Sequence, residues 1–130
     1  MPRSALPFLM FQGNAEAALD FYRDAIGAEV SRVERYGPNE PVAAGALKSA
    51  RLTVCGQEAM IFDSPPMHDF GFTPSFSFFV ECADEDEVRR LAATFAEGGS
   101  TLMGVDNYGF SRLYAWVADR FGVSWQFNCA

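Results

Sequence analysis

Gln126 lies in the stretch DRFGVSWQFN (residues 119–128), between Trp125 and Phe127, with Ser124 and Asn128 two positions to either side. Alternate side chains of an extended strand share a face. The amides of Gln126 and Asn128 and the hydroxyl of Ser124 therefore stand together, opposite an aromatic face. Neutral hydrogen-bonding groups of this kind orient an organic ligand rather than make or break its bonds. The sets that do break bonds are harder to find. His68 is the single histidine, in a loop between Pro66 and Gly71, and is the one imidazole for acid–base work. Ser64, Ser77, Ser100 and Ser124 lack a nucleophile-elbow context, and no phosphate-binding loop is present. Cys55, Cys82 and Cys129 are an odd number without metal-ligand spacing and read as free thiols. Asp63, at the end of IFD before Ser64-Pro65-Pro66, suits a turn cap, and Asp106-Asn107-Tyr108-Gly109 suits a turn. Arg112 is the residue that would hold an anion, although a strand-start Arg usually pairs with a surface acid. The acidic run ADEDE (83–87) suits a helix start, where carboxylates complement the dipole.

Charge and length narrow the classes. The chain has 130 residues and a net charge of −7, with ten basic residues in no run. That disfavours nucleic acid and anionic membrane as partners. Nearly half the residues are apolar, thirteen of them Phe, enough for one domain with a real core. The N-terminal MPRSALPFLMF lacks the long apolar region of a signal peptide, and no apolar run reaches membrane-spanning length. With three unpaired thiols, the expected setting is the cytoplasm.

The elements that would position Gln126 occur twice. LPFLMFQ (6–12) is an apolar run ending at Gly13-Asn14, a helix N-cap signal. AEAALDFYRDAIGA then places Ala18, Phe21, Tyr22, Ala25 and Ile26 on one helical face, with Gly27 as the stop. FSFFVEC (76–82) is the second apolar run, followed by Asp84 and Glu87 in capping-box spacing. Val88, Leu91, Ala92 and Phe95 form its helical stripe, and Gly98-Gly99 end it. ERY, AAGALKSARLTV and EAMIFD follow the first helix; TLMGV, FSRLYAWV and VSWQFN follow the second. Both halves read strand, helix, three strands, the last two forming a hairpin around a Gly. The expected architecture is α+β: one domain (1–130) of two βαβββ modules, about 5–64 and about 74–130. MHDFGFTP (67–74) is the linker, and the curved mixed sheets are expected to enclose a cavity.

A paired βαβββ organisation resembles the vicinal oxygen chelate superfamily, which includes glyoxalase I, extradiol dioxygenases and bleomycin-resistance proteins. FLMFQGNAEAALDFY, SFFVECADEDEVRRL and YAWVADRFGVSWQF look like its PhnB-like branch, also known as 3-demethylubiquinone-9 3-methyltransferase. A methyltransferase using S-adenosylmethionine normally carries a Gly-rich loop after its first strand, and no such loop is written here. In metal-dependent relatives an Asp-x-x-Gly turn precedes a last strand bearing a Glu ligand. Asp119, Gly122 and Gln126 fall on that spacing. The resemblance puts the other three ligand positions at Pro7, Met60 and Ser77. This set offers neither imidazole nor carboxylate, and neighbours such as Phe8 and Ile61 add none, so no metal or other cofactor is expected.

If those positions face inward, alternation carries Leu9, Phe11, Phe62, Ser75, Phe79, Ser124 and Asn128 with them, and the resemblance adds Tyr114 and Trp116. The expected ligand contacts are Leu9, Phe11, Met60, Phe62, His68, Ser77, Phe79, Tyr114, Trp116, Gln126 and Asn128. Three functions fit this reading. One is a metal-free binding protein for a small, partly apolar organic molecule. A second is a lyase, isomerase or dioxygenase-type enzyme of the superfamily, and the third a drug-sequestering protein of the bleomycin-resistance type. The edge strands of curved sheets need covering, and proteins of this superfamily often pair, so a homodimer is expected.

Overall fold

A computed structural model describes all of residues 1–130. The chain divides into two compact units between Asp69 and Phe70, inside the Pro- and Gly-containing stretch that joins the modules. Each unit repeats one order of elements. The first contains β1 (Phe8–Phe11), α1 (Ala15–Ile26), β2 (Glu29–Arg35), β3 (Leu47–Val54) and β4 (Gln57–Asp63). The second contains β5 (Ser77–Glu81), α2 (Glu85–Ala96), β6 (Ser100–Asp106), β7 (Leu113–Ala118) and β8 (Ser124–Cys129). The sheets are four-stranded and mixed, ordered β1-β4-β3-β2 and β5-β8-β7-β6. In each, the module's first and last strands pair in parallel and the remaining pairs are antiparallel.

In the first module, Leu9, Phe11, Leu52, Ala59 and Ile61 are buried on one face of the sheet, and Ala15, Ala18, Leu19 and Tyr22 are buried on the helix. Phe21, Ala25 and Ile26 are only half-buried, so the packed stripe of α1 lies about one residue round from the face expected of the sequence. The cap of α1 also differs from expectation. Asn14 makes no side-chain cap bond. Asp63, at the end of β4, instead accepts the N–H groups of Gly13 and, at 3.2 Å, Ala15. Gly27 closes the helix in the left-handed conformation, its N–H bonded to the Arg23 carbonyl at 3.2 Å.

In the second module, Val88, Leu91, Ala92 and Phe95 are the buried residues of α2, the stripe that its spacing predicts. The Phe95 ring meets Trp125 at 4.7 Å and Phe127 at 5.2 Å, and Phe78 stacks on Trp125 at 4.7 Å. The Asp84 carboxylate accepts the Glu87 N–H at 2.8 Å, and Glu87 reaches back to the Ala83 N–H at 2.9 Å. Gly99 is required by close approach: a Cβ there would lie 2.1 Å from the Ala118 carbonyl oxygen.

One buried carboxylate organises the last hairpin. Asp119 accepts the N–H groups of Phe121 at 2.8 Å and Val123 at 3.1 Å, and the Trp125 indole N–H at 2.9 Å. Gly122, at φ +90°, gives the turn its left-handed residue. Removing the carboxylate deletes all three of these bonds from a buried turn, so Asp119→Ala costs about 3 kcal/mol of stability in urea unfolding. The β3–β4 hairpin behaves oppositely. Its two-residue turn is Cys55-Gly56, with φ of 48° and 87°, and Cys is a poor left-handed residue there. Cys55 is exposed, and Cys55→Asn raises stability by about 0.5–1 kcal/mol, measured in the same assay.

Candidate functional site

Strand pairing fixes which side chains share a face. In the second sheet, Ser77 pairs with Ser124, Phe79 with Gln126 and Glu81 with Asn128, while Tyr114 pairs with Asn128 and Trp116 with Gln126. These residues stand opposite Phe78, Val80, Trp125 and Phe127, which pack on α2. The structure thus brings Ser77, Phe79, Tyr114, Trp116, Gln126 and Asn128 together on the face that the helix leaves open.

That face carries an ordered set of hydrogen bonds. The Tyr114 hydroxyl donates to Gln126 Oε1 at 2.6 Å. The Trp116 indole N–H donates to Ser124 Oγ at 2.8 Å, and the Ser124 and Ser77 hydroxyls are hydrogen-bonded to each other at 2.6 Å. The Asn128 Nδ2 donates to both oxygens of Glu81 at 3.1 Å, and its Oδ1 accepts from the Ser111 hydroxyl. Gln126 is half-buried, and its amide NH₂ group meets no acceptor in the chain, which leaves its two donors unused. Phe79 is 54% exposed beside it. At the end of the face Tyr108 and Phe110 stack at 6.1 Å, and both meet the Tyr114 ring edge-on, at 5.9 and 5.0 Å. Phe110 is 63% exposed.

The first sheet departs from the expected register. Phe8 pairs with Met60 and Met10 with Phe62, whereas Leu9 pairs with Ile61 and Phe11 with Asp63. Met60 and Phe62 are on the open face together with Phe8 and Met10. Leu9 and Phe11, expected beside them, are 3% and 1% exposed and belong to the core. The open-face residue that pairs with Met60 is therefore Phe8, one residue on from the expected Pro7. The run LPFLMF is apolar at every position, so nothing in it betrays a one-residue slip. His68 is not on either sheet. It occupies the exposed segment after β4, where its backbone N–H donates to Gln12 Oε1 at 2.9 Å. Asp63 is committed to the start of α1, and its carbonyl accepts the Tyr36 hydroxyl at 2.5 Å. Arg112 donates to the Ala130 carbonyl at 2.7 Å and to Cys129 Sγ at 3.1 Å. Glu81 joins the face by alternation from Ser77 and Phe79. Phe110 and Ser111 went unnoticed in the sequence because they lie in a loop, where alternation says nothing.

A divalent metal fits neither open face. The first offers the thioethers of Met10 and Met60 with Glu34 as its one groove carboxylate, and the second has hydroxyls, amides and the Glu81 carboxylate already held by Asn128. Nowhere do three His, Cys, Asp or Glu side chains group as ligands. The Tyr114 hydroxyl is also no base at neutral pH. Burial raises its pKa above the ordinary 10.0, and the neighbouring Tyr108 raises it further.

The sequence model of the 3-demethylubiquinone-9 3-methyltransferase family matches residues 3–128. The chain belongs to this family. It is similar to the PhnB protein of the 3-demethylubiquinone-9 3-methyltransferase family from Bacillus cereus, with 38% identity and a TM-score of 0.90 over 98% of this chain and 100% of that one. Protein YjdN of Escherichia coli K12 is 24% identical over 98% of this chain and 95% of its own length. A glyoxalase/bleomycin resistance/dioxygenase superfamily protein from Sphaerobacter thermophilus has 15% identity and a TM-score of 0.60 over 98% of both chains, a likeness of fold alone. This family member is thus an α+β protein of the glyoxalase-like fold. None of its helices is long and apolar enough to cross a membrane.

The raised Tyr114 pKa sets a pH dependence. The unfolded chain loses the tyrosine proton near 10.0 while the folded chain retains it. The contribution of Tyr114 to stability is therefore constant below pH 10 and is lost as pH rises through the folded value. Tyr36, whose pKa burial also raises, adds to the slope. Melting temperatures of the native protein decline above pH 10, and Tyr114→Phe makes that decline shallower.

Proposed function

We propose that this protein binds a small, partly apolar organic molecule without a metal, on the open face that Gln126 centres. The observation that carries this reading is the hydrogen-bonded row on β5, β7 and β8. Tyr114 holds the Gln126 amide by its oxygen and leaves the NH₂ group to donate, on a face that presents Phe79 across from Gln126 and the Tyr108 and Phe110 rings against Tyr114. Aromatic surface with a few oriented polar groups suits a ligand bearing a carbonyl or other acceptor on an apolar body. The methyltransferase of the family name gains no support from the helix starts. Asp63 fills the N-terminus of α1 and Asp84 that of α2, places where a nucleotide-binding loop would present free N–H groups.

The binding form we propose is a cytoplasmic homodimer. Val33, Leu102 and Val105, on the edge strands β2 and β6, are exposed apolar residues that an unpaired edge would not ordinarily present. Three free cysteines accord with a reducing compartment.

Thermal-shift screening with small aromatic ketones and amides is the first test. Stabilising compounds are expected to lose about tenfold in affinity with Gln126→Leu, the cost of one directed hydrogen bond at a desolvated site, with little change in melting temperature of the free protein. Unaltered affinity in that variant would place the site elsewhere. Iron, nickel, manganese or zinc at one equivalent after dialysis would overturn the metal-free reading. Light scattering should return twice the 14.3 kDa chain mass.

A further inference from the structure

The first module has a groove of its own, about 380 Å³, on the open side of its sheet. That volume is within the range of about 300–1,000 Å³ usual for small-molecule sites. Phe8, Met60 and Phe62 give it an apolar floor, and Arg32, Glu34, Ser49 and Arg51 line the rest. The charges there are unequally matched. Arg51 is paired with Glu58 at 2.6 Å. Glu34 lies within the field of Lys48, which itself holds Glu40 at 2.7 Å. The Arg32 side chain has no carboxylate within ion-pair distance and no hydrogen bond to another residue.

The backbone at Arg32 adds an independent observation. Between the pairs Ser31–Arg51 and Glu34–Ser49, β2 contains one residue more than β3, a bulge. Arg32 is the bulge residue in the left-handed region, at φ +51°. Glycine is the residue suited to such a position, and Arg is strained in it. Arg32 is exposed on the edge strand, and the bulge sets its long cation at the rim of the groove at a conformational cost.

We propose that this groove binds an organic carboxylate, with the anion on the Arg32 guanidinium and its apolar body on Phe8, Met60 and Phe62. The site concerns the other module and is independent of the reading given for Gln126. Two probes separate charge from shape: 3-phenylpropionate and its neutral isostere 3-phenylpropanamide, titrated into ¹³C-methyl-labelled full-length protein and followed by NMR. The acid is expected to bind about fivefold more tightly than the amide, with the Met60 methyl signal moving in both titrations. Arg32→Gly should abolish the preference while leaving the melting temperature equal or higher, because glycine relieves the bulge. Arg32→Lys, which keeps a cation, should retain part of it. Equal affinities in the native protein, an acid preference that survives Arg32→Gly, or no binding of either probe at about 10 mM would each overturn the proposal. So would shifts confined to Met103, the methionine of β6 paired with Trp116. The Gln126 reading stands in each case, since it is judged by a different variant and different compounds.

Discussion

The buried carboxylate of Asp119 decides which way the second sheet faces. It binds two backbone N–H groups of its own turn and the indole of Trp125 on the strand beyond, and so fixes both the shape of the turn and the first inward side chain of β8. Strand side chains alternate, so one residue of slip would send Trp125 and Phe127 outward and bury Gln126. Every contact on the open face follows: Gln126 against Tyr114, Ser124 against Trp116 and Ser77, Asn128 against Glu81. Asp63 does related work in the first module from the opposite end of a hairpin, tying the end of β4 to the start of α1.

How far the sequence revealed this depends on chemical contrast at each position. In VSWQFN, polar and aromatic residues alternate strictly, so the open face of β8 was readable residue by residue. The α2 stripe and its capping pair were readable for the same reason: Val88, Leu91, Ala92 and Phe95 are separated by charged or small residues. LPFLMF offers no contrast, and there the assignment of Leu9 and Phe11 failed. Phe21 misled because an aromatic next to Tyr22 suggests a wider buried stripe than α1 has. The cap on α1 was hidden for another reason. Its donors and acceptor are 48 and 50 residues apart, and a local pattern cannot report a bond of that span. Phe110 was not legible as a site residue because loop aromatics obey no period, and Tyr108 reads first as part of the turn at 106–109.

The two modules share a fold and differ in the chemistry of their open faces. The first pairs thioethers and phenyl rings with guanidinium groups; the second pairs rings with hydroxyls and amides. Neither face carries an imidazole, and Met60, Ser77 and Gln126 present a thioether, a hydroxyl and an amide. The helix-side residues are interchangeable apolar groups by comparison, which is how one architecture keeps its core while its faces change.

Each module's first strand pairs only with its last. During synthesis β1 leaves the ribosome with no partner and must wait until Met60 and Ile61 have been made. The hairpin of β3 and β4 is local and forms early; the closing of β1 onto β4 is the late, long-range step that completes the sheet. The same delay then begins again at β5. The chain is therefore built as two successive closures, and the first module can be finished while the second is still being translated.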